Sequence, residues 1–241
     1  KDVVVIAKGA HTPYCTPRSI GAQLDISLSR LGLDFAPIYI MHRDNPAVPV
    51  GEFVEALNAL HVAGKIGIFG GSNWSVARLA EANAYAAAHG LQPMRVLNNN
   101  LSLAVMERPV WAGCVTSNNA ETLQFLRQSG TTHLSWSSQA RGYFLPEPLR
   151  ARLPADVGPE ECFGSPANAE RRRRAEALAV KYGVSAHNIA TAWVLAQEFP
   201  SFALIGPRSA DEIATTLPAF GFDLTSDEVG WLNLESGQGP A

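Results

Sequence analysis

Residues 64–75 read Gly-Lys-Ile-Gly-Ile-Phe-Gly-Gly-Ser-Asn-Trp-Ser, a stretch that passes from an apolar run through a polar pair to a helix start. We predict a strand over residues 66–69 and a helix that begins at Ser75, whose hydroxyl can cap the first turn. Ser72 and Asn73 would then follow the strand directly. Because parallel α/β folds carry their chemistry at the carboxyl ends of strands, this pair predicts part of a binding edge.

The same order of strand and helix repeats along the chain. Further strands are predicted over residues 3–6, 38–41, 95–97, 133–136 and 202–205. Helical spacing of apolar residues predicts helices at 17–31, 49–60, 75–90, 123–128, 168–182, 185–197 and 210–217, and one after Thr225. Six βα units fit a (β/α)₈ barrel that is short of two units, or an open doubly wound sheet, and periodicity does not choose between them.

Two segments stand apart from this repeat. The proline-rich residues 145–166 are too long for a tight connection, so they predict an active-site flap. Residues 236–241 predict a flexible tail.

Composition excludes several classes of function. The net charge is −3, which gives no basic surface for nucleic acid. No apolar run reaches the roughly 18 residues that a membrane helix needs. The three cysteines have no Cys-x-x-Cys spacing, which indicates neither a disulfide framework nor a metal site and favours the reducing cytoplasm.

Polar residues follow every predicted strand. They are Lys8, His42, Ser72 with Asn73, Asn98 with Asn99, Trp136 with Ser137, and Gly206 with Arg208. Each has a structural alternative: a lysine at the surface, a histidine or tryptophan in the core, a serine or asparagine at a helix cap. Together they predict a polar rim, where a lysine and a histidine suit carbonyl chemistry. No Gly-x-Gly-x-x-Gly follows a strand, so a Rossmann dinucleotide site is not predicted.

Residues 3–234 resemble the aldo-keto reductase family, most specifically through residues 64–75. The resemblance implies a TIM (β/α)₈-type barrel over residues 1–235 that lacks roughly its first two βα units. It assigns catalytic roles to Lys8 and His42. It assigns cofactor contacts to Ser72, Asn73, Asn98, Trp136, Ser137, Arg141, Gly206, Arg208 and Ser209.

The resemblance implies NADP(H) as the cofactor, with NAD(H) as the alternative. A guanidinium such as that of Arg208 suits the 2′-phosphate of NADP(H). Three positions depart from the family. Asn98 replaces a glutamine, and Thr215 and Thr216 replace a glutamate and an asparagine near the adenine. These departures leave the choice of cofactor open.

The family's catalytic tyrosine, and the aspartate that pairs with the lysine, lie on a segment that these residues do not include. We therefore expect a fragment with little or no activity by itself. The sequences of several segments are similar to those of bacterial reductase modules that follow a glucose-fructose oxidoreductase-like dehydrogenase domain. This similarity predicts such a domain as an N-terminal partner in the parent protein.

The predicted function is reduction of an aldehyde or ketone, with sugar-like compounds among the candidates, by hydride transfer from the cofactor. A second hypothesis is a barrel that binds the cofactor for sensing or assembly without turnover. A third is a different α/β barrel in which Lys8 forms a Schiff base with its substrate.

Overall fold

The computed structural model describes residues 3–151, 153 and 158–240. Six strands form one sheet in chain order: β1 (Ile6–Gly9), β2 (Ala36–Met41), β3 (Ile66–Ser72), β4 (Val96–Asn98), β5 (Thr132–Ser135) and β6 (Ser201–Ala203). The pairings from β1 to β5 are all parallel. Helices connect the strands, so the predicted α/β fold with a parallel sheet is confirmed.

The described residues form ten α-helices. They are α1 (Pro17–Leu31), α2 (Val50–Val62), α3 (Val76–Ala88), α4 (Ala120–Ser129), α5 (Glu147–Arg150), α6 (Pro159–Phe163), α7 (Pro166–Tyr182), α8 (Ala186–Leu195), α9 (Ala210–Thr216) and α10 (Ser226–Leu232). Eight of the ten α-helices among the described residues correspond to predicted ones, and α5 and α6 are additional. Local signals fix several of their starts: Thr16 accepts from Ser19, Pro17 occupies the first turn of α1, and Ser75 caps α3. None of these helices has the length and hydropathy that crossing a bilayer requires.

The first strand lies further along the chain than predicted. Residues 3–6 are apolar, but pairing with β2 starts only at Ile6, which aligns with Ile38. Val3 and Val4 remain exposed, and Lys8 is inside the strand instead of after it. The apolar run shows that a strand is present, whereas the register with the neighbouring strand decides where it begins.

The predicted flap contains two short helices that the sequence did not indicate, α5 and α6. Each has a proline at its first or second residue, Pro148 in α5 and Pro159 in α6, which suits the first turn of a helix. Residues 152 and 154–157 of this segment lie outside the described residues.

The chain divides into two compact units. The first comprises Lys1–Asn99 and Gln124–His133, and its core is built by apolar side chains of α1, α2 and the first strands: Ile20, Leu24, Tyr39, Phe53, Leu57 and Phe69. The second comprises Asn100–Leu123 and Leu134–Ala241, and its core includes Phe163, Leu178, Ile189 and Val194. Both units bury these side chains almost completely, as the periodic patterns predict.

Among the glycines of β3, Gly70 has the least room for a side chain. A Cβ atom on Gly70 would lie 1.8 Å from the carbonyl oxygen of Val96 on β4, far inside van der Waals contact. Gly70 pairs with Val96 and also aligns with Ile40 of β2. Close approach of β3 and β4 therefore depends on the missing side chain.

We expect Gly70→Ala to lower the free energy of unfolding by roughly 1–3 kcal/mol, because one strand must move to admit the methyl group. Urea denaturation followed by circular dichroism measures the change. Gly237→Ala is the control, since a Cβ there has no neighbour within 4 Å. Equal unfolding midpoints for the two variants would contradict the requirement for glycine in β3.

Candidate active site

The first unit brings four of the predicted residues into one hydrogen-bonded cluster. Lys8 Nζ donates to Ser72 Oγ at 3.0 Å and to Asn98 Oδ1 at 2.7 Å. Asn73 Nδ2 donates to Ser72 Oγ at 3.1 Å, and its backbone N–H donates to the carbonyl of Asn98 at 3.3 Å. The lysine therefore contacts two of the side chains that the resemblance assigns to the cofactor, Ser72 and Asn98, through neutral oxygens.

Strand register explains this cluster. Lys8 aligns with Ile40, Ile40 with Gly70, and Gly70 with Val96, so the four share one row of the sheet. Ser72 and Asn98 pair with each other two residues further along. Because side chains alternate between the faces of a sheet, all of these residues project from the same face.

His42 lies beside this cluster at the end of β2. Its backbone N–H donates to the carbonyl of Gly9, and its ring meets that of His11 edge-on at 4.5 Å. Burial lowers the pKa of His42 to about 4, and the positive charge of Lys8 contributes after burial, followed by His11 and Arg43. At neutral pH the imidazole is therefore uncharged and offers one N–H donor.

The backbone at Asn73 adopts the left-handed conformation, with φ 58°. Asn99 fixes the next residue: its side chain accepts from the N–H of Trp74 and donates to the carbonyl of the same residue. The Asn99 amide thus bonds both backbone groups of Trp74, as a residue of a neighbouring strand would. It holds the turn in which Ser72 and Asn73 present their polar atoms.

An ion pair holds the segment that follows His42. Arg78 in the first turn of α3 donates through Nε and Nη2 to the two oxygens of Asp44, at 2.9 and 3.1 Å. Its Nη2 also donates to the carbonyls of Asn45 and Val48. Both charged side chains are mostly buried, so this fork is a stronger restraint than a surface pair.

The second unit contains the remaining predicted residues. The indole N–H of Trp136 is buried and has no hydrogen-bond partner among the described residues. The ring of Trp111 lies 6.5 Å from that of Trp136 and is half exposed, and the guanidinium of Arg141 lies 5.5 Å above it. Two aromatic rings and a cation thus form one surface.

The turn after Trp136 is built from unusual backbone conformations. Ser137, Ala140 and Arg141 have positive φ angles of 49°, 48° and 55°, and Gly142 follows with 90°. Side chains of the turn fix it to its unit: Ser138 donates to the carbonyl of Leu204. Non-glycine residues held in this region often mark binding sites, since the surrounding structure must enforce them.

Gln139 of the same turn donates to the hydroxyls of Thr191 and Thr216. Thr216 is buried and also bonds to the carbonyl of Glu212. Its hydroxyl therefore has a structural use, whereas the neighbouring Thr215 is exposed.

Arg208 pairs with an acidic residue that the sequence reading did not single out. Its backbone N–H donates to Glu212 Oε2 at 2.7 Å, and its guanidinium donates to Oε1 through Nη2 at 3.1 Å and through Nε at 3.3 Å. Ser209 caps α9 by accepting from the N–H of Glu212. Gly206 leaves open space around its Cα.

A carboxylate is thus already bound where the resemblance places a phosphate of the cofactor. The donors that hold it, a guanidinium and a backbone N–H, are those that also bind phosphate oxygens. This donor set fits the anionic end of a dinucleotide. Among the described residues, no group of histidine, cysteine and acidic side chains could hold a metal ion.

The comparisons with known proteins agree with this fold and residue pattern. The family model described as "Aldo/keto reductase family" matches residues 1–233. The chain belongs to the aldo/keto reductase family. Members of the family generally use nicotinamide cofactors, usually NADP(H).

The chain is also similar to curated proteins at low sequence identity. Norsolorinic acid reductase stcV of Emericella nidulans is 25% identical over 92% of this chain and 53% of its own length. Aldo-keto reductase YhdN of Bacillus subtilis is 26% identical over 86% of this chain and 60% of its own length. The chain therefore spans between half and two thirds of these two reductases.

The fold of the family is also found by structural comparison. A crystal structure of the thermostable aldo-keto reductase Tm1743 superposes with a TM-score of 0.71 at 20% sequence identity. The match covers 98% of this chain and 72% of that one. The fold is therefore similar to that of a TIM-barrel-type aldo-keto reductase.

The sequence predicts the polar residues at the strand ends but not the residues that support them. Asn99 is predicted only as a neighbour of Asn98. The pairs Arg78 with Asp44 and Arg208 with Glu212 were not predicted. The two residues of the second pair are only four apart and lie on either side of the cap of α9, whereas the first pair joins elements that are distant in sequence.

We expect Lys8→Met to raise the pKa of His42, because removing a nearby positive charge makes protonation of the imidazole easier. NMR titration of the His42 ring in both proteins measures the shift. Lys65→Met is the control, since Lys65 pairs with Asp25 at the surface. An unchanged His42 pKa in Lys8→Met would show that the two groups do not interact.

We expect Arg78→Met to lower the free energy of unfolding by roughly 1–3 kcal/mol, because Asp44 and two carbonyls lose their donor in a partly buried site. Chemical denaturation measures this loss. Arg30→Met, at the exposed end of α1, should cost much less. Similar losses in the two variants would mean that the fork around Asp44 contributes little.

Proposed function

We propose that this chain forms the carbonyl-reducing part of an aldo/keto reductase that takes hydride from NADP(H) or NAD(H). The observation that supports this most is the cluster of Lys8, Ser72 and Asn98, with Asn73 and His42 beside it. It combines a cation, a neutral imidazole and amide groups on one face of a parallel sheet.

Lys8 and His42 would act on the substrate carbonyl. The bound cofactor would supply the hydride. As negative charge develops on the carbonyl oxygen, the ammonium of Lys8 stabilises it by charge and the neutral imidazole of His42 stabilises it by donating its N–H. The low pKa of His42 suits this role, since a neutral donor holds its proton throughout.

The first unit would hold the nicotinamide end of the cofactor through Ser72, Asn73 and Asn98. An amide and a hydroxyl can bond both the oxygen and the nitrogen of a carboxamide. Binding there requires Lys8 to share or release Ser72 Oγ and Asn98 Oδ1. The proposal therefore includes a change in the hydrogen bonds of Lys8 when the cofactor binds.

The resemblance assigns further cofactor contacts to residues of the second unit. Trp136 would offer an aromatic face, and Ser137 and Arg141 would offer side-chain donors. Gly206, Arg208 and Ser209 would meet the adenosine phosphates. A small aldehyde or ketone is the proposed substrate class.

Proton delivery is assigned by the resemblance to a tyrosine, with an aspartate that pairs with Lys8, outside these residues. We therefore propose that the chain by itself binds cofactor but reduces carbonyls slowly or not at all.

A second candidate, cofactor binding without turnover, is favoured by one observation. The Lys8 ammonium meets two neutral oxygens, Ser72 Oγ and Asn98 Oδ1. A lysine used in this way can organise a binding site without activating a phenol. Turnover of any aldehyde or ketone by the parent protein with NADH or NADPH would eliminate this candidate.

We expect the purified chain to bind NADPH or NADH, and Ser72→Ala combined with Asn73→Gly to weaken binding by roughly tenfold, the size of two lost hydrogen bonds. Glycine is chosen at residue 73 because it accepts the positive φ. Nucleotide fluorescence measures the dissociation constants. Ser29→Ala, on the exposed side of α1, is the control.

Circular dichroism establishes that each variant is folded. If the folded chain binds neither nucleotide, or if the double variant binds both as tightly as the chain with Ser29→Ala, the proposed cofactor site is wrong.

A further inference from the structure

Arg208 and Glu212 form an ion pair with several hydrogen bonds between them. Three donors of one residue, the backbone N–H, Nε and Nη2 of Arg208, all reach the carboxylate of Glu212. The hydrogen bond that the carboxylate accepts from the backbone N–H of Arg208 contributes most to keeping the pKa of Glu212 below its usual value. Glu212 is therefore charged at neutral pH, and the pair as a whole carries no net charge.

The sequence around this pair is acidic. Residues 201–227 contain one basic residue, Arg208, and four acidic ones, Asp211, Glu212, Asp223 and Asp227. A phosphate group that binds at Arg208 must therefore displace Glu212 and remain near its negative charge. A phosphate monoester carries nearly two charges at pH 7, so this repulsion is larger than for a neutral hydroxyl.

A carboxylate in this position has a favourable partner in the other cofactor. NAD(H) has a 2′-hydroxyl where NADP(H) has a 2′-phosphate, and a carboxylate accepts a hydrogen bond from the hydroxyl. Dinucleotide-binding folds of a different type use the same chemistry, with an acidic residue for NAD and an arginine for NADP. Here both residue types occur together and are bonded to each other.

We propose that Glu212 is a specificity-determining residue that turns the cofactor preference of this site from NADP(H) towards NAD(H). The inference rests on the proposed function, since it concerns the same cofactor. Glu212 keeps the guanidinium of Arg208 neutralised and accepts from the ribose 2′-hydroxyl. The family's usual cofactor, NADP(H), is thereby disfavoured in this chain.

The test compares the dissociation constants of NADH and NADPH for the full chain and for Glu212→Gln, measured by nucleotide fluorescence. Glutamine keeps the size of the side chain and removes the charge. Asp211→Asn is the matched control, because it removes one charge from the same helix at a residue with no bond to Arg208 among those described.

We expect the unchanged chain to bind NADH at least as tightly as NADPH. Glu212→Gln should then tighten NADPH binding by roughly fivefold, the range of an exposed ion pair, and leave NADH binding the same or weaker. Asp211→Asn should change the ratio of the two constants much less.

Three results would overturn the proposal. One is a strong preference of the unchanged chain for NADPH, and another is an equal change of the ratio in both variants. The third is binding of neither nucleotide by the folded chain, which rejects the proposed cofactor site as well. In the first two results the cofactor still binds, so failure of this inference is separated from failure of the proposed function.

Discussion

The parallel register of the first four strands is the constraint on which the candidate site depends. It places Lys8 in one row with Gly70 and places Ser72 opposite Asn98 two residues further along. Lys8 can then bridge from β1 to side chains of β3 and β4. A slip of one residue in any of these pairings would turn the polar groups to the opposite face of the sheet.

Two side-chain interactions outside the sheet hold the segments that carry the site residues. Asn99 bonds both backbone groups of Trp74, and Arg78 ties the segment after His42 to α3. Neither support belongs to a strand, and each depends on a residue that lies far along the chain from its partner. The strand register determines where the site residues lie, and these side chains hold the adjoining backbone in its orientation.

The sequence predicted the strands and most helices because their apolar patterns are strong and their caps are local. It misplaced the start of β1, since an apolar run such as residues 3–6 does not contain information on where its neighbour pairs. Residue types at the site could be predicted from their place after strands and from the family resemblance. Partners such as Asp44 for Arg78 could not, because they depend on tertiary contacts.

The turn from Ser137 to Gly142 has a consequence for how this sequence can change over time. Three of its non-glycine residues are left-handed, a conformation that costs an ordinary residue roughly 1–2 kcal/mol. Glycine would adopt the backbone conformation of Arg141 at a lower cost. A change of Arg141 to glycine would therefore stabilise this unit and at the same time remove a side chain that the proposed function assigns to the cofactor, so stability and the proposed binding oppose each other in this turn.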